Sequence, residues 1–371
     1  MRSGRRITAA LVALALLGTV GTACGTATDP TERLPERVTM AFTGDLLPHG
    51  PVVAQAQAYG AASGVAYDFR PMFDRVRPLL SKVDVALCHL EVPVSADNSL
   101  IAGYPAFSGP REMGQAIESA GYEGCSTASN HSLDQAAAGV VSTLDVLDAN
   151  HVGHSGTART ADEQAAPVLY ETADGVVVGQ VSAAFGFNGY VPDTPWRVRT
   201  LNPGGLIAAA RAARQAGADL VVASLHWGIE YQHDPTPDQL ALAEQLTASG
   251  AFDLIVGHHA HVVQPIRRLN GVPVIFGLGN LLSNMSDTDA RDGVIVRVRA
   301  VRDQGARHWR FDIAVNPTWV DLSSFTILPV AATGAGADGA ALEAELRASW
   351  DRTIGVMTAD GVAHPAGALP G

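Results

Sequence analysis

Five apolar runs in this sequence each lead into a side chain that can bind a metal or make a strong hydrogen bond. Residues 37–43 run into Gly44-Asp45, and 83–88 into His89-Leu90-Glu91. Residues 122–127 lead to Asn130-His131, and 219–225 stop at His226. Residues 252–256 stop at Gly257-His258, with His259 and His261 just beyond. Short apolar runs closed by a glycine or a polar group read as buried strands. Helical patterns stand between them at 111–120, 133–149, 206–216 and 237–248. Asn202-Pro203 and Thr236-Pro237 supply the helix starts. Strand and helix in alternation make an α/β sheet, whose ligands bind beyond the carboxyl ends of the strands.

That placement gathers Asp45, Glu91, Asn130, His131, His226, His259 and His261 at one end of a sheet. Carboxylate oxygen with imidazole nitrogen suits divalent Mn, Fe or Zn. Two ions bridged by a carboxylate can activate a water and clamp both oxygens of a displacement. Taken singly, the residues have plainer readings. Gly44-Asp45 is a common turn, Glu91 can be a surface acid, and His226 a satisfied core histidine. Asn130-His131 can precede a helix whose N-cap is Ser132. Gly257-His258-His259-Ala260-His261 resists that treatment, because imidazoles after a buried strand are costly unless liganded or hydrogen-bonded. Taken together, the set points to one or two divalent ions.

Adjacent side chains rarely reach the same atom, so Asn130 can ligate while His131 protonates a leaving group. Asp134, three residues on, either fixes the His131 tautomer or caps the helix. His49 follows Asp45 by four residues across Pro48, which leaves its direction open. His89 shares the period-two phase of Glu91 and either lines the same face or covers the mouth. His151, His154, Arg111 and Glu230 are further candidates for the rim.

The N-terminus carries a different signal. Arg2, Arg5 and Arg6 precede an apolar run at 7–20, then small residues and Cys24. A spanning helix needs about 20 apolar residues, so the segment reads as an export leader. Its end resembles a bacterial lipoprotein signal, with residues 1–23 removed and Cys24 acylated; plain secretion and an uncleaved anchor are the alternatives. Residues 24–36 read as a tether. Cys88 and Cys125 then remain in the folded part, either as a disulfide, which export permits, or as buried thiols. The main domain is expected over 37–330, and 331–371 as a flexible segment with a closing helix. Residues 93–110, rich in Pro and Gly, read as a loop over the site.

The formal net charge is −12, with 17% of residues charged. An acidic chain is poorly suited to bulk nucleic-acid binding. It can meet a polyanion locally if metal ions supply the positive field.

The motifs resemble the CapA family of bacterial capsule and poly-γ-glutamate synthesis proteins, a branch of the calcineurin-like metallophosphoesterases. The matching pieces are Thr43-Gly44-Asp45, His89-Leu90-Glu91, Asn130-His131-Ser132-Leu133-Asp134, His226-Trp227-Gly228, Gly257-His258-His259-Ala260-His261 and Gly277-Leu278-Gly279-Asn280. The resemblance implies a four-layer α/β/β/α sandwich. It implies Asp45 and His261 on a first metal, Glu91 bridging, and Asn130, His226 and His259 on a second. It gives His131 the catalytic or orienting part. Position 47 is Leu where the wider superfamily has a histidine, so the first metal lacks that ligand unless His49 folds back. His89 stands where the family often has Asn, and Ala260 where it often has Pro. The function implied is an exported metallohydrolase acting on a cell-envelope polymer, a polyglutamate-like peptide or a phosphoester. Its partners would be that polymer, the membrane through Cys24, and capsule synthesis machinery. A polymer-holding protein without turnover and a peptide epimerase are the rival functions.

Overall fold

In the computed structural model of the chain, residues 36–303, 305–331 and 340–366 are described. The leader, Cys24 and nearly all of the tether lie outside the described residues, as do 332–339 and 367–371. No helix among the described residues is long and apolar enough to cross a membrane.

The strands are β1 (Glu36–Leu46), β2 (Val85–Leu90), β3 (Gly124–Ser126), β4 (Gly153–Ser155), β5 (Val168–Glu171), β6 (Val177–Ala184), β7 (Leu220–His226), β8 (Leu254–His258), β9 (Val263–Leu269), β10 (Val272–Leu278), β11 (Asn280–Leu282), β12 (Asp292–Arg302), β13 (Arg310–Val320), β14 (Ile327–Pro329) and β15 (His364–Pro365). The helices are α1 (Gly50–Ser63), α2 (Arg70–Phe73), α3 (Arg77–Leu80), α4 (Glu112–Ala120), α5 (Ala136–Ala149), α6 (Ala161–Ala165), α7 (Pro203–Gln215), α8 (Pro237–Ala248), α9 (Thr288–Arg291) and α10 (Ala340–Met357). One sheet has the order β14-β13-β12-β1-β2-β3-β4, with β11 beside β1 and β15 beside β13. The other has the order β5-β6-β7-β8-β10-β9. In each, the central strands are parallel.

Side chains alternate across each strand and so sort into layers. Val38, Met40 and Phe42 of β1 and Val85 and Leu87 of β2 pack against Val222 of β7 and Val256 of β8, filling the space between the sheets. The opposite phase, Ala41, Ala86 and Cys88, packs under α1 to α4. On the second sheet Val221, Ala223 and Leu225 face α7 and α8. The result is the expected α/β/β/α sandwich. Each fully buried Val or Leu contributes about 1.5–3 kcal/mol.

Local signals explain the element ends. Asn202 caps α7 by accepting from the Gly205 N–H, and Thr236 with Gln239 forms a reciprocal capping box on α8. Asn270-Gly271, both at positive φ, turn β9 into β10. Several expectations need correction. The helix expected from Leu133 begins at Ala136, and Gln135, not Ser132, precedes it. Ser132 instead donates to the carbonyls of Thr127 and Ser129, closing a tight turn. The closing helix α10 runs on to Met357, and His364-Pro365 pair with β13 rather than fraying. Helices α1 to α3 and strand β5 were not anticipated. Cys88 and Cys125, at directly paired positions of β2 and β3, form a disulfide.

Candidate metal centre

Inward phase carries through to the strand ends. The residues that continue it are His89 on β2, His226 on β7 and His258 on β8, all buried. They meet in the space between the sheets. His89 Nε2 lies 3.0 Å from His226 Nδ1, and the His89 ring stacks on His258 at 4.2 Å. His89 Nδ1 lies 2.7 Å from the Ser126 hydroxyl on β3. His226 Nε2 bonds Asn130 Oδ1 at 2.9 Å.

Asp45 sits on the other side of this stack. The register of β1 shifts between Phe42 and Asp45, which re-aims the carboxylate. Gly44 permits the shift, since a Cβ there would stand 2.2 Å from the Gly279 carbonyl oxygen. Asp45 accepts from His258 Nδ1 at 3.2 Å and from the His259 backbone N–H at 3.0 Å. His261 Nδ1 lies 3.4 Å from the same carboxylate and 2.9 Å from Asn280 Oδ1. His259 and His261 both hold positive φ, at 88° and 55°. For residues with a Cβ that costs about 1–3 kcal/mol each and marks a backbone arranged for its side chains.

Glu91 completes the arrangement. It is buried, and neither carboxylate oxygen has a hydrogen-bond partner. His261 Nε2 is 3.8 Å away. His259 Nδ1 is also buried and unpartnered. A lone buried carboxylate is expensive, so these orphaned atoms are what a cation would satisfy. Three overlapping groups of buried residues converge closely enough to hold an ion: Asp45-His89-His258, Glu91-His226-His259 and Asp45-Glu91-His261. Exposed Glu230 joins His259 and His261 in a fourth.

The electrostatics follow from burial and proximity. Burial pushes Glu91 well above the usual carboxylate range. Burial raises Asp45 too, but hydrogen bonds from His258 and His261 outweigh it and hold Asp45 well below its usual value. Burial would depress His261, yet Glu91 and Asp45 lift it to about 9. Burial, with the neighbouring imidazoles, drops His259 to about 4 and His89 and His226 well below their usual value. His89, His226 and His259 are thus neutral and able to donate a lone pair to a cation.

At the mouth, His131 Nδ1 lies 2.7 Å from Asp134 Oδ2. Asp134 also accepts from the Phe107 N–H at 2.8 Å, so it ties the 93–110 loop to His131. This is the tautomer-fixing geometry rather than a helix cap. Phe107 packs edge-on against His131 at 4.8 Å and against His49 at 5.4 Å. His49 Nδ1 accepts the Asn284 N–H at 3.2 Å, which leaves its proton on Nε2. His49 joins none of the ion-capable groups among the described residues. It does not fold back to replace the histidine missing at Leu47. His154 pairs with Asp148, and Arg111 lies beside Glu112; neither joins these groups. Sequence reading gave His258 no part and left that of His89 open. It missed Phe185, whose ring lies 4.6 Å from that of His259. It also missed Asn188, whose amide lies 3.3 Å from Asn130 and 3.4 Å from His131. The period-two phase of β2 and β8 was the signal for the two histidines. No signal marked Asn188, which arrives on a loop.

The family model described as bacterial capsule synthesis protein PGA_cap matches residues 39–285, which spans every residue of this centre. The chain belongs to that capsule synthesis family. It is similar to the capsule biosynthesis protein CapA of Bacillus anthracis, with 29% identity over 73% of this chain and 65% of the relative. The PGA biosynthesis protein CapA of Bacillus subtilis is 26% identical over 78% of this chain and 73% of its own. This chain therefore spans about two thirds to three quarters of the length of those two relatives. Among solved structures, a phosphatase from Mycoplasma pneumoniae aligns with TM-score 0.45 and 11% identity, over 76% of this chain and 95% of its own. The calcineurin-like phosphoesterase YfkN of Bacillus subtilis also gives 0.45, with 12% identity over 86% and 98%.

Proposed function

We propose that this chain is a metal-dependent hydrolase of a capsule or cell-envelope polymer, exported and held at the membrane by a lipid on Cys24. Glu91 carries the reading. It is a fully buried carboxylate with no partner, set among Asp45, His226, His259 and His261. Asp45, Glu91, Asn130, His226, His259 and His261 would hold one or two divalent ions, with His258 hydrogen-bonded to Asp45 and His89 stacked on His258. Bound Mn, Fe or Zn would supply Lewis acidity and lower the pKa of a coordinated water.

The rest is the work of this chain's own residues. With Nδ1 committed to Asp134, His131 presents Nε2 toward the open side and can give a proton to a leaving atom or take one from a nucleophile. Phe107 covers the ring and keeps water from its flank. His49, with its proton on Nε2, can donate one hydrogen bond to a substrate oxygen. The lipoprotein reading rests on the Cys24 leader alone.

The test combines metal analysis with turnover. Purified protein is expected to hold divalent ion and to cleave at least one of an aryl phosphate, a γ-glutamyl peptide or an envelope glycopolymer. Asp45→Asn and His259→Ala should abolish that cleavage. Metal without cleavage of any of the three would leave a polymer-holding protein. Solvent deuterium entering a peptide Cα without cleavage would mean an epimerase. Radiolabelled palmitate on the wild type but not on Cys24→Ala tests the anchor.

A further inference from the structure

Arg199 is held in a largely buried position without a counter-charge. Its backbone is pinned from both sides: the N–H donates to the Gly156 carbonyl at 2.8 Å, and the carbonyl accepts the Ala184 N–H at 3.1 Å. Its Nη2 donates to the backbone carbonyl and the side-chain oxygen of Gln164, at 2.8 and 2.7 Å. Both acceptors are neutral. Its Nε is buried and has no partner. Among the described residues no carboxylate pairs with it, whereas its neighbours Arg159 and Arg197 are paired with Glu163 and Asp193. Burial pushes the Arg199 pKa below its ordinary value, and no carboxylate offsets that. A guanidinium drawn out of water is costly unless an anion answers it.

The Arg199 side chain lines a cavity of about 140 Å³, bounded by the end of β4, α6, the start of β5, β6 and α7. None of its lining residues belongs to the ion-capable groups of the metal centre. The other polar groups of the lining are already engaged. Ser155 Oγ donates to the Gln180 carbonyl at 3.2 Å, and Gln180 Nε2 donates to Ser224 Oγ at 3.1 Å. Thr157 Oγ1 shares a hydrogen bond with Thr127 Oγ1 at 2.7 Å, and Gln164 Nε2 donates to the Trp196 carbonyl at 2.8 Å. His154 Nε2 lies 3.1 Å from Asp148. Glu163, the one carboxylate of the lining, accepts from Arg159 Nε at 3.0 Å. What the cavity still offers is the Arg199 guanidinium and the apolar surface of Val168, Val181, Ala209 and Ala213.

We propose that this cavity binds a carboxylate carried on a short aliphatic stem. A carboxylate takes charge-assisted hydrogen bonds from a guanidinium, and the stem lies against the valines and alanines. A phosphate brings more charge and more acceptor oxygens than one guanidinium can meet where the remaining polar groups are engaged. A neutral ligand leaves the arginine unanswered. Two sources present the same chemistry: a free organic acid, and the end of a γ-glutamyl chain, which closes in a carboxylate on two methylenes. The inference goes beyond the hydrolase reading, since the binding requires neither metal nor turnover.

Ligand-observed NMR on the full-length protein tests it, after metal is stripped and the chelator dialysed away so that no bound ion can hold the probe. Butyrate, butyramide and inorganic phosphate are titrated at equal ionic strength. Butyrate should bind about tenfold or more tightly than either of the others. Arg199→Gln should weaken butyrate by about tenfold or more, the scale of losing one partner of a buried charge pair. Arg199→Lys keeps the charge and should retain part of the affinity. Ala209→Leu leaves the arginine in place and fills the cavity, and it should weaken butyrate as much. Melting temperatures show which variants fold, and Ala209→Leu decides the matter if Arg199→Gln does not. Absence of saturable butyrate binding, butyramide or phosphate binding as tightly as butyrate, or unchanged affinity in either folded variant would overturn the proposal. Competition with a γ-glutamyl tripeptide then separates the sources. Displacement of butyrate supports the site with a chain end as its ligand, and retention supports it with a free acid. Butyrate binding with no cleavage of any substrate would sink the hydrolase reading and leave this one standing.

Discussion

The His131 imidazole and the Asp134 carboxylate meet at 2.7 Å, and the Asp134 side chain is wholly shielded from solvent. A buried acceptor on Nδ1 fixes the tautomer and aims Nε2 outward. Asp134→Asn should keep the fold and lower turnover about 10- to 100-fold, the usual cost of losing an orienting partner. His131→Ala should cost more, about 10²- to 10⁴-fold, as expected for the group that moves the proton. Steady-state kinetics on the two variants checks the order. Equal losses in KM with kcat unchanged would contradict it.

Glu91 makes a stability prediction that needs no substrate. Its unpartnered carboxylate costs free energy in the metal-free protein. Glu91→Gln stripped with EDTA should therefore melt at or above wild type stripped in the same way. Adding Mn or Zn should raise the wild-type melting temperature, since an ion at 100 times its Kd adds about 2.7 kcal/mol. The variant should gain less. A larger metal-induced shift in the variant would mean Glu91 is not a ligand.

Legibility was uneven, and the reasons are physical. The sandwich was readable because interior parallel strands are continuous apolar runs that end where the chemistry starts. Asp45, Glu91, Asn130, His226, His259 and His261 all fall in one cluster for that reason. His89 and His258 were readable in principle. His89 follows Val85 and Leu87, and His258 follows Leu254 and Val256, each two residues apart. Counting by two sends both rings between the sheets. Helices α1 to α3 were harder. They are short or low in amphipathic contrast, and proline opens each of them. Asn188 and Phe185 reach the centre only because the 185–196 loop folds across it, and no local pattern encodes such a return.

The disulfide gives a test of the redox setting. Cys88 and Cys125 enclose a segment with a sequence separation of 37. Closing a loop of that size restricts the unfolded chain by about 3–4 kcal/mol. Cys88→Ala with Cys125→Ala should lower stability by that order in denaturant melts. Protein recovered from its native envelope should show no free thiol at these positions; two free thiols would argue against export.

His364 gives the pH dependence its sign. The Pro365 carbonyl and the Asp312 carboxylate raise its pKa above the ordinary 6.5. Its raised value means the folded state prefers the charged ring. The stabilisation is complete below about pH 6.5 and fades as pH climbs through the folded value. His364 holds β15 against β13, where the Ala366 N–H donates to the Val315 carbonyl at 2.9 Å. Hydrogen exchange at Ala366, corrected for intrinsic rate, should lose protection across that window. His364→Gln should flatten the profile. The group is more than half exposed, so added salt should shrink the effect.

Gly257 links packing to the centre most directly. A Cβ at this position would stand 1.9 Å from the Phe276 carbonyl oxygen and 2.4 Å from Trp227 Nε1. The first clash is with backbone, and the indole is held by its own bond to the same Phe276 carbonyl. Neither neighbour can yield without moving a strand. Gly257→Ala should therefore force β8 away from β10, at a cost of about 1–3 kcal/mol for overpacking. His258 is the next residue, so the displacement passes straight to the imidazole that braces Asp45. Metal affinity should then fall together with stability. Gly271→Ala provides the contrast: its Cβ would meet nothing within 4 Å, though its φ of +85° still carries local strain. That variant should lose stability while metal affinity holds. Calorimetric metal titration beside thermal melts separates the two, and a Gly257→Ala protein that binds metal like wild type would break the link between strand packing and the centre.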